Sequence, residues 1–194
     1  MSYLKVCLPI LALGLLLTTG CNTDYVPKPK GYPRLYLPSV GYKALGMGLP
    51  YEFEVSTAST ATPSKDRLSE PLWIDIHYPG FDATVQITYK KVTGMKDLNE
   101  YIEDARKLTS KHQIRATAIE ESMRKVASGD IAYTFRLEGQ VPTQYQFFVT
   151  DSSKHFLRGA LYFKTATQND SLAPIIDYVA RDMEHLLNTL RWTR

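Results

Sequence analysis

The sequence predicts an α+β protein, with a mostly antiparallel sheet of about six to seven strands packed against two helices. Several short stretches alternate apolar and polar residues and are separated by turn residues, as antiparallel strands are. One amphipathic segment is inserted between two groups of these stretches, and a longer one closes the chain. Because helices do not alternate with strands, a parallel sheet built of βαβ units is not expected.

The chain begins with the pattern of a bacterial lipoprotein signal peptide. Lys5 supplies a positive charge, the stretch from Leu8 to Leu17 is apolar, and small residues lead up to Cys21. The apolar stretch is shorter than the roughly 20 residues of a membrane-spanning helix, which disfavours the alternative of an uncleaved membrane anchor. The pattern therefore predicts that residues 1–20 are removed and that Cys21 is lipidated, although Thr18 stands where such signals usually carry leucine.

Composition and charge exclude some classes of function. The formal net charge of +3 on 194 residues is too small to indicate a nucleic-acid-binding surface. The two cysteines are Cys7, in the predicted signal peptide, and Cys21, so the mature chain would have no thiol pair for a disulfide. One domain, stabilised by packing alone, is expected beyond the anchor.

Residues 21–50 are predicted to form the lipidated N-terminus and a tether, and residues 51–194 a single globular domain. Five prolines and four glycines between Asn22 and Pro50 disfavour both helices and strands there. Tyrosines and basic residues are spaced among the prolines, which is unusual for a plain linker. Two interpretations follow: the tether is a passive spacer, or Tyr32, Arg34 and Tyr36 bind this domain or a partner protein.

The first part of the predicted domain consists of strands. Residues 51–55 alternate cleanly, whereas residues 57–69 are polar enough for a loop. The stretch from Leu72 to Tyr78 places its apolar residues on one face, with Asp75 and His77 on the other. A similar alternation at residues 85–89 follows after a short turn, which predicts an antiparallel hairpin.

A helix and four further strands are predicted next. Asp97, with Glu100 three residues later, has the spacing of a capping box and predicts a helix that begins at Asp97 and ends between residues 112 and 117. The strands are expected at residues 119–126, 131–137, 144–150 and 155–164. The first of these is ambiguous between helix and strand, and we assign it to a strand because residues 131–137 have one clearly apolar face and need an antiparallel neighbour.

The chain is expected to close with a long amphipathic helix. Ser171 is its predicted cap, Pro174 is tolerated in the first turn, and an apolar stripe continues to Leu190. This stripe must lie against the sheet.

Few residues suggest catalysis. Asp75 and His77 share a strand face, with Asp82 just beyond the turn, and the three could hold a metal ion, but a solvated polar face explains them more simply. Two serines and a histidine at residues 152–155 lie in a predicted hairpin turn, without the strained turn of a nucleophilic serine. No catalytic residue, metal ion or cofactor is therefore expected.

Three segments carry a resemblance to a known family. They are Val26 to Arg34, which follows the lipobox cysteine, Trp73 to Pro79, and Phe147 to Phe163. In these segments, and over nearly the whole chain, the sequence resembles the GldD-type gliding-motility lipoproteins of Bacteroidota. The resemblance implies a lipid-anchored protein of the cell envelope that is needed for gliding, a motility linked to type IX secretion. It implies no catalytic residues.

At the level of the fold alone, the aromatic strands and the long final helix are also similar to the PsbP-type domains of photosystem II. That analogy favours a docking module over an enzyme.

Two functions from different classes remain open. The first is a non-enzymatic interaction module, held at a membrane by lipidated Cys21, facing the periplasm and contacting other gliding-motility or type IX secretion proteins. The second is a periplasmic ligand-binding protein or envelope enzyme that uses Asp75 and His77. The first requires exposed aromatic and arginine side chains on a surface, whereas the second requires a concave pocket with convergent polar groups.

Overall fold

The structure, a computed structural model, describes residues 36–164 and 169–193, the side chains of residues 169–171 excepted. In this part of the chain the helices are α1 (Met95–Ser110) and α2 (Asn169–Thr189), and a 3₁₀ turn covers Pro79–Phe81. The strands are β1 (Tyr42–Ala44), β2 (Tyr51–Glu52), β3 (Glu54–Ser56), β4 (Thr60–Pro63), β5 (Ile74–Tyr78), β6 (Ala83–Lys91), β7 (Ala116–Lys125), β8 (Ile131–Gly139), β9 (Tyr145–Thr150), β10 (His155–Phe163) and β11 (Arg191–Trp192).

Seven of these strands form one antiparallel sheet, in the order β4-β5-β6-β10-β9-β8-β7. The predicted hairpins β5–β6 and β9–β10 are present, and β10 returns to lie beside β6. The other four strands pair in two short antiparallel ladders, β1 with β3 and β2 with β11. The predicted α+β class is confirmed, and so is the assignment of residues 119–126 to a strand, because β7 pairs with β8 along its length.

The two helices cover opposite faces of the sheet. On one face α2 packs over the apolar residues of β5, β6 and β10, where Ile76, Ile87 and Leu161 are buried. On the other face α1 covers a smaller cluster that contains Phe148 and Phe156. The alternation in the sequence indicates which residues share a face, but both faces are buried where the helices lie, so several strands have no exposed side.

The ordered domain extends into the segment that the sequence assigns to the tether. Residues 42–44 form β1, which pairs with β3, and Leu45 is buried in the larger core. The prediction that prolines and glycines prevent any strand before residue 51 is therefore wrong at this end. The glycines do not interrupt β1 because they flank it: Gly41 precedes it, and Gly46 and Gly48 follow it with positive φ angles of 64° and 65°.

Two details of the first strands also differ from the prediction. Residues 57–69 are not entirely a loop, because Thr60–Pro63 form β4 at the edge of the sheet and pair with β5. Leu72 does not share the buried face of β5: it lies before the strand, with a φ of 76° and 40% of its surface exposed. The left-handed conformation turns its side chain away from the alternation that begins at Ile74.

Helix α1 begins two residues before the predicted start. Its N-cap is Gly94, which has no side chain to act as a cap. Asp97 instead lies within the first turn and accepts hydrogen bonds from the backbone N–H and the hydroxyl of Thr93. The carboxylate therefore reaches back to the residue before the cap, and these hydrogen bonds hold the pKa of Asp97 below its usual range. The prediction of a capping box from Asp97 to Glu100 is therefore wrong.

The C-terminal part contains one more strand than predicted. Helix α2 starts at Asn169, so Ser171 lies inside the helix rather than before it, and Pro174 follows within the helix. The chain does not close with this helix. Residues 191–192 form β11 and pair with β2, and the indole N–H of Trp192 donates to Asp130 Oδ2 at 2.7 Å.

Candidate functional site at the N-terminal junction

The segment that joins the predicted tether to the domain is bound to α2 by a group of polar side chains. We call Tyr42, Glu54, Tyr78, Asp182 and His185 the junction cluster. Asp182 and His185 are three residues apart on α2 and so lie on one face of the helix. The junction cluster therefore connects the first strand of the domain with its last helix.

Tyr42, the first residue of β1, makes two contacts with α2. Its hydroxyl donates to Asp182 Oδ1 at 3.2 Å. Its ring stacks on the imidazole of His185, with ring centroids 3.5 Å apart and planes 11° from parallel. The β1–β3 ladder places Tyr42 opposite Ser56, so the residue is fixed by backbone pairing as well as by its side chain.

His185 is held in place from a second direction. Its Nε2 lies 2.7 Å from Glu54 Oε2. Glu54 belongs to β3 and pairs with Ala44 of β1. The imidazole is thus enclosed between a tyrosine ring from β1 and a carboxylate from β3, which aligns both strands on the helix.

Asp182 is the buried carboxylate of the junction cluster, with 5% of its surface exposed. Tyr78 on β5 donates to its second oxygen, Oδ2, at 3.2 Å. Burial raises the pKa of Asp182 above that of an ordinary carboxyl group, while hydrogen bonds from Ser56, Tyr42 and Tyr78 act in the opposite direction. Burial first, and then the neighbouring Asp182, also raise the pKa of Tyr78.

The space beside Asp182 is small. A cavity of about 10 Å³ lies among Ser56, Ile76, Tyr78, Asp182 and Met183, which is the room that about one water molecule needs. Both carboxylate oxygens already accept hydrogen bonds from tyrosine hydroxyls. This arrangement suits a contact that fixes the N-terminal segment, because Asp182 binds one tyrosine from β1 and another from β5.

Immediately before the junction cluster, the chain presents apolar side chains to solvent. Tyr36 is 84% exposed and Val40 is 63% exposed. Of the residues predicted to interact, Tyr32 and Arg34 lie outside the described residues, as does the predicted lipidation site Cys21. Tyr36, the described member of that group, does not pack on this domain.

The alternative site at Asp75 and His77 is part of a polar sheet face. Both side chains are half-buried on β5, on the face opposite α2. The Nδ1 of His77 lies 3.2 Å from the hydroxyl of Thr84 on β6. Asp82 lies in the turn between these strands, 3.6 Å from Lys164. In the described ranges, no group of three or more His, Cys, Asp or Glu side chains is arranged to hold a metal ion.

The serines at residues 152–153 lie in the predicted turn between β9 and β10. This turn is organised by Asp151, whose Oδ1 accepts from the backbone N–H groups of Ser153, Lys154 and His155. Although burial acts to raise it, these hydrogen bonds hold the pKa of Asp151 at about 2. His155 faces away from the serines: its Nδ1 lies 2.8 Å from the hydroxyl of Tyr89, and its ring stacks on Trp192.

Sequence reasoning missed the junction cluster because its members are distant in the chain. Tyr42 and Asp182 are separated by 140 residues. The available signal was local: an aspartate and a histidine three residues apart, on a helix whose other faces are apolar or solvated. That spacing indicates a shared face, but only the fold identifies Tyr42 as the residue that meets it.

Comparison with known proteins gives the family. A family model described as gliding motility lipoprotein GldD matches residues 22–192. The chain belongs to this family. Membership in the GldD family makes it a gliding-motility lipoprotein, and hence a membrane-anchored protein of the cell envelope. In the part of the chain that the structure describes, neither helix is long and apolar enough to cross a membrane.

Among solved structures, this GldD-family chain is similar to the solution structure of cyanobacterial PsbP (CyanoP) from Synechocystis. The TM-score is 0.44 at 11% sequence identity, and the match covers 83% of this chain and 98% of that chain. No match was found among curated protein sequences.

Proposed function

We propose that this GldD-family protein supports gliding by binding other proteins of the gliding or type IX secretion machinery, without catalysing a reaction. In this proposal Cys21 carries the lipid, the domain faces the periplasm, and Tyr32, Arg34 and Tyr36 contact a partner. The observation that carries the proposal is the exposure of Tyr36, at 84%, directly ahead of a strand that is fixed to the domain.

The exposed segment has a composition suited to protein contacts. Aromatic side chains supply a large contact area for a partner at a small loss of conformational freedom. A passive spacer has no partner to contact and would not need exposed apolar side chains. Tyr36 and Val40 lie within a few residues of Tyr42, whose contacts with Asp182 and His185 fix the chain direction. A partner that binds this segment would therefore be held at a defined position relative to the domain.

The alternative residues have local contacts that favour a non-enzymatic role. His77 approaches Thr84, and Asp82 approaches Lys164. Asp182, the buried carboxylate, is bound by two tyrosine hydroxyls. These contacts support structural roles for the polar groups that a catalytic mechanism would require.

The anchor is tested by Cys21→Ala. We expect this variant to lose metabolic labelling by a fatty-acid analogue and to leave the membrane fraction, because the sulfur of Cys21 is the proposed attachment point. Cys7→Ala is the matched control, since Cys7 lies in the predicted signal peptide and its loss should leave the label on the mature protein. Label that persists in Cys21→Ala would refute the assignment.

The interaction segment is tested by Tyr32→Ala combined with Tyr36→Ala. Colony spreading should fail although lipid labelling and protein level are unchanged, because the double variant removes aromatic contact area and leaves the length of the tether intact. A Gly/Ser replacement of residues 22–31, of equal length, is the control and should spread normally. Normal spreading by the tyrosine variant would leave the segment as a passive spacer.

A further inference from the structure

Strand β7 forms a long edge of the seven-stranded sheet. Nine of its ten residues pair with β8 on one side, Thr117 being skipped at a register shift, and in the described part of the chain no strand pairs with the other side. The opposite edge, β4, has four residues and ends in Pro63, which has no N–H to donate. An edge with unpaired backbone groups can accept another strand, and β7 is the edge long enough to do so.

Hydrogen bonds show which backbone groups of β7 point outward. The carbonyl of Ser122 accepts from the Thr134 hydroxyl of β8, and just past the strand the N–H of Val126 donates to the Asp130 carbonyl. Even-numbered residues therefore direct their backbone groups towards β8. Because successive residues alternate, the odd-numbered residues from 119 to 125 direct theirs away from the sheet.

We propose that β7 pairs antiparallel with β7 of a second copy of this chain, so that one continuous sheet runs through both copies. The two-fold axis passes through the pair formed by Ser122 and Ser122 of the second copy. In this register Glu120 faces Arg124 of the second copy, and the symmetry repeats the contact. These opposite charges meet at non-hydrogen-bonded positions, where side chains across a ladder are closest.

The register follows from charge and length. A shift of two residues in one direction would place Glu121 opposite Glu121 of the second copy, so that two negative charges would face each other. A shift in the other direction would centre the pairing on Met123 and limit it to residues 121–125, whereas the proposed register pairs residues 119–125. Charges on an edge strand commonly prevent pairing, but here the two signs are arranged so that the strand is complementary to itself.

The side chains needed for this contact are accessible. Glu120 and Ser122 are exposed, and Met123, on the other face of β7, is 68% exposed. Arg124 lies 3.6 Å from Glu184 of α2, which directs its guanidinium along the α2 face of the sheet. A guanidinium has five N–H donors, so Arg124 can bind Glu184 and a second carboxylate together.

The symmetry also fits a protein held at a membrane. An axis perpendicular to the sheet leaves the α2 faces of both copies on the same side. Tyr42 contacts α2, so the N-terminal segment leaves each copy from that side. Both chains of the dimer would then run towards the same bilayer, whereas a two-fold axis in the plane of the sheet would direct them to opposite sides.

A disulfide across the axis tests the proposal. The Ser122→Cys variant is made in the full-length chain and expressed in its own host. In the proposed dimer the Cα atoms of the two cysteines would be about 4.5 Å apart, which is within the range for a disulfide. We expect a dimer on a non-reducing gel that is converted to monomer by a reductant. Thr60→Cys, an exposed position on the opposite edge strand β4, is the matched control and should remain monomeric.

Other positions and charges define the outcomes. The measured quantity is the fraction of disulfide-linked dimer. The proposal would be overturned if Ser122→Cys formed no more dimer than Thr60→Cys, or if Met123→Cys formed more dimer than Ser122→Cys. The proposal would also be overturned if Ser122→Cys formed a disulfide with a different protein and no dimer of this chain was found. Glu120→Arg should weaken the dimer about tenfold, and Glu120→Arg with Arg124→Glu should restore it. Equal dimerisation of all three charge forms would contradict the proposed register.

The unsubstituted protein gives an independent measurement. After detergent extraction with its lipid intact, the protein should sediment as a mixture of monomer and dimer. The fraction of dimer should rise with protein concentration. A monomer at every accessible concentration would refute the inference. Neither experiment measures motility, so a failure here is separate from a failure of the proposed function.

Discussion

Gly159→Ala should lower the free energy of unfolding by about 3 kcal/mol, because a methyl group at this position has no space. Gly159 lies in β10, between Phe147 of β9 and Ile87 of β6. A Cβ atom built there would be 2.3 Å from Cε1 and 2.5 Å from Cζ of the Phe147 ring. Phe147 is 1% exposed, so its ring cannot move aside without displacing the core.

Urea unfolding of the purified mature protein measures this effect. Gly80→Ala is the matched control, because nothing lies within 4 Å of a Cβ at that position, and it should change the free energy of unfolding little. Phe147→Leu introduced together with Gly159→Ala should recover part of the loss, since a smaller side chain leaves room for the methyl group. An unchanged urea midpoint for Gly159→Ala would show that the ring is not fixed.

Tyr78→Phe should cost about 2 kcal/mol at pH 7, because it leaves the buried Asp182 carboxylate with one tyrosine donor fewer. The loss should shrink as the pH falls. Burial raises the pKa of Asp182 in the folded protein, so proton uptake favours the folded state. The stability due to this proton is fully present below the ordinary carboxyl pKa of 3.8 and is lost as the pH rises through the raised value.

Thermal or urea unfolding between pH 4 and pH 8 tests this dependence. The difference between Tyr78→Phe and the unsubstituted protein should grow with pH, because the charged carboxylate is the form that needs the missing donor. In an Asp182→Asn background the same tyrosine substitution should show no such trend. Tyr162→Phe, at a half-buried tyrosine of β10, is the control. A loss that is equal at all pH values would mean that the tyrosine acts through packing alone.

The sequence predicts most of the central sheet because alternation records which side of a strand is buried. Residues 74–78 and 83–91 show this pattern, and the turn between them is short, so their pairing follows from local signals. The same reasoning recovered β7, since a neighbouring strand with an apolar face required a partner. Residues 72 and 97 show its limit, because a backbone turn at Leu72 and a side-chain contact from Asp97 to Thr93 override periodicity.

The parts that the sequence did not predict depend on contacts between distant residues. Strands β1 and β11 have three and two residues, too few for any periodicity, and each exists because a partner strand is adjacent in the fold. The sequence does not identify the partners of Asp182: Val179 and Leu186 place it beside the apolar stripe of the helix, but the tyrosines that bind it lie far away in the chain. Gly159 likewise looks like an interruption of a strand until the ring of Phe147 is seen beside it.

The attachment of β1 determines where a pulling force would enter the molecule. If the chain is held at Cys21, tension along the tether reaches the domain at Gly41, whose carbonyl accepts from the backbone N–H of Thr57. The next contacts to be loaded are three ladder pairs and the contacts of Tyr42 with His185 and Asp182. We expect these contacts, and the burial of Leu45, to be lost before the strands of the large sheet separate, because those strands share longer ladders. Release of residues 42–50 would add at most about 30 Å to the tether, at about 3.3 Å per residue, and leave that sheet intact. Under force, the junction would thus release a short segment of defined length while the rest of the domain stays folded.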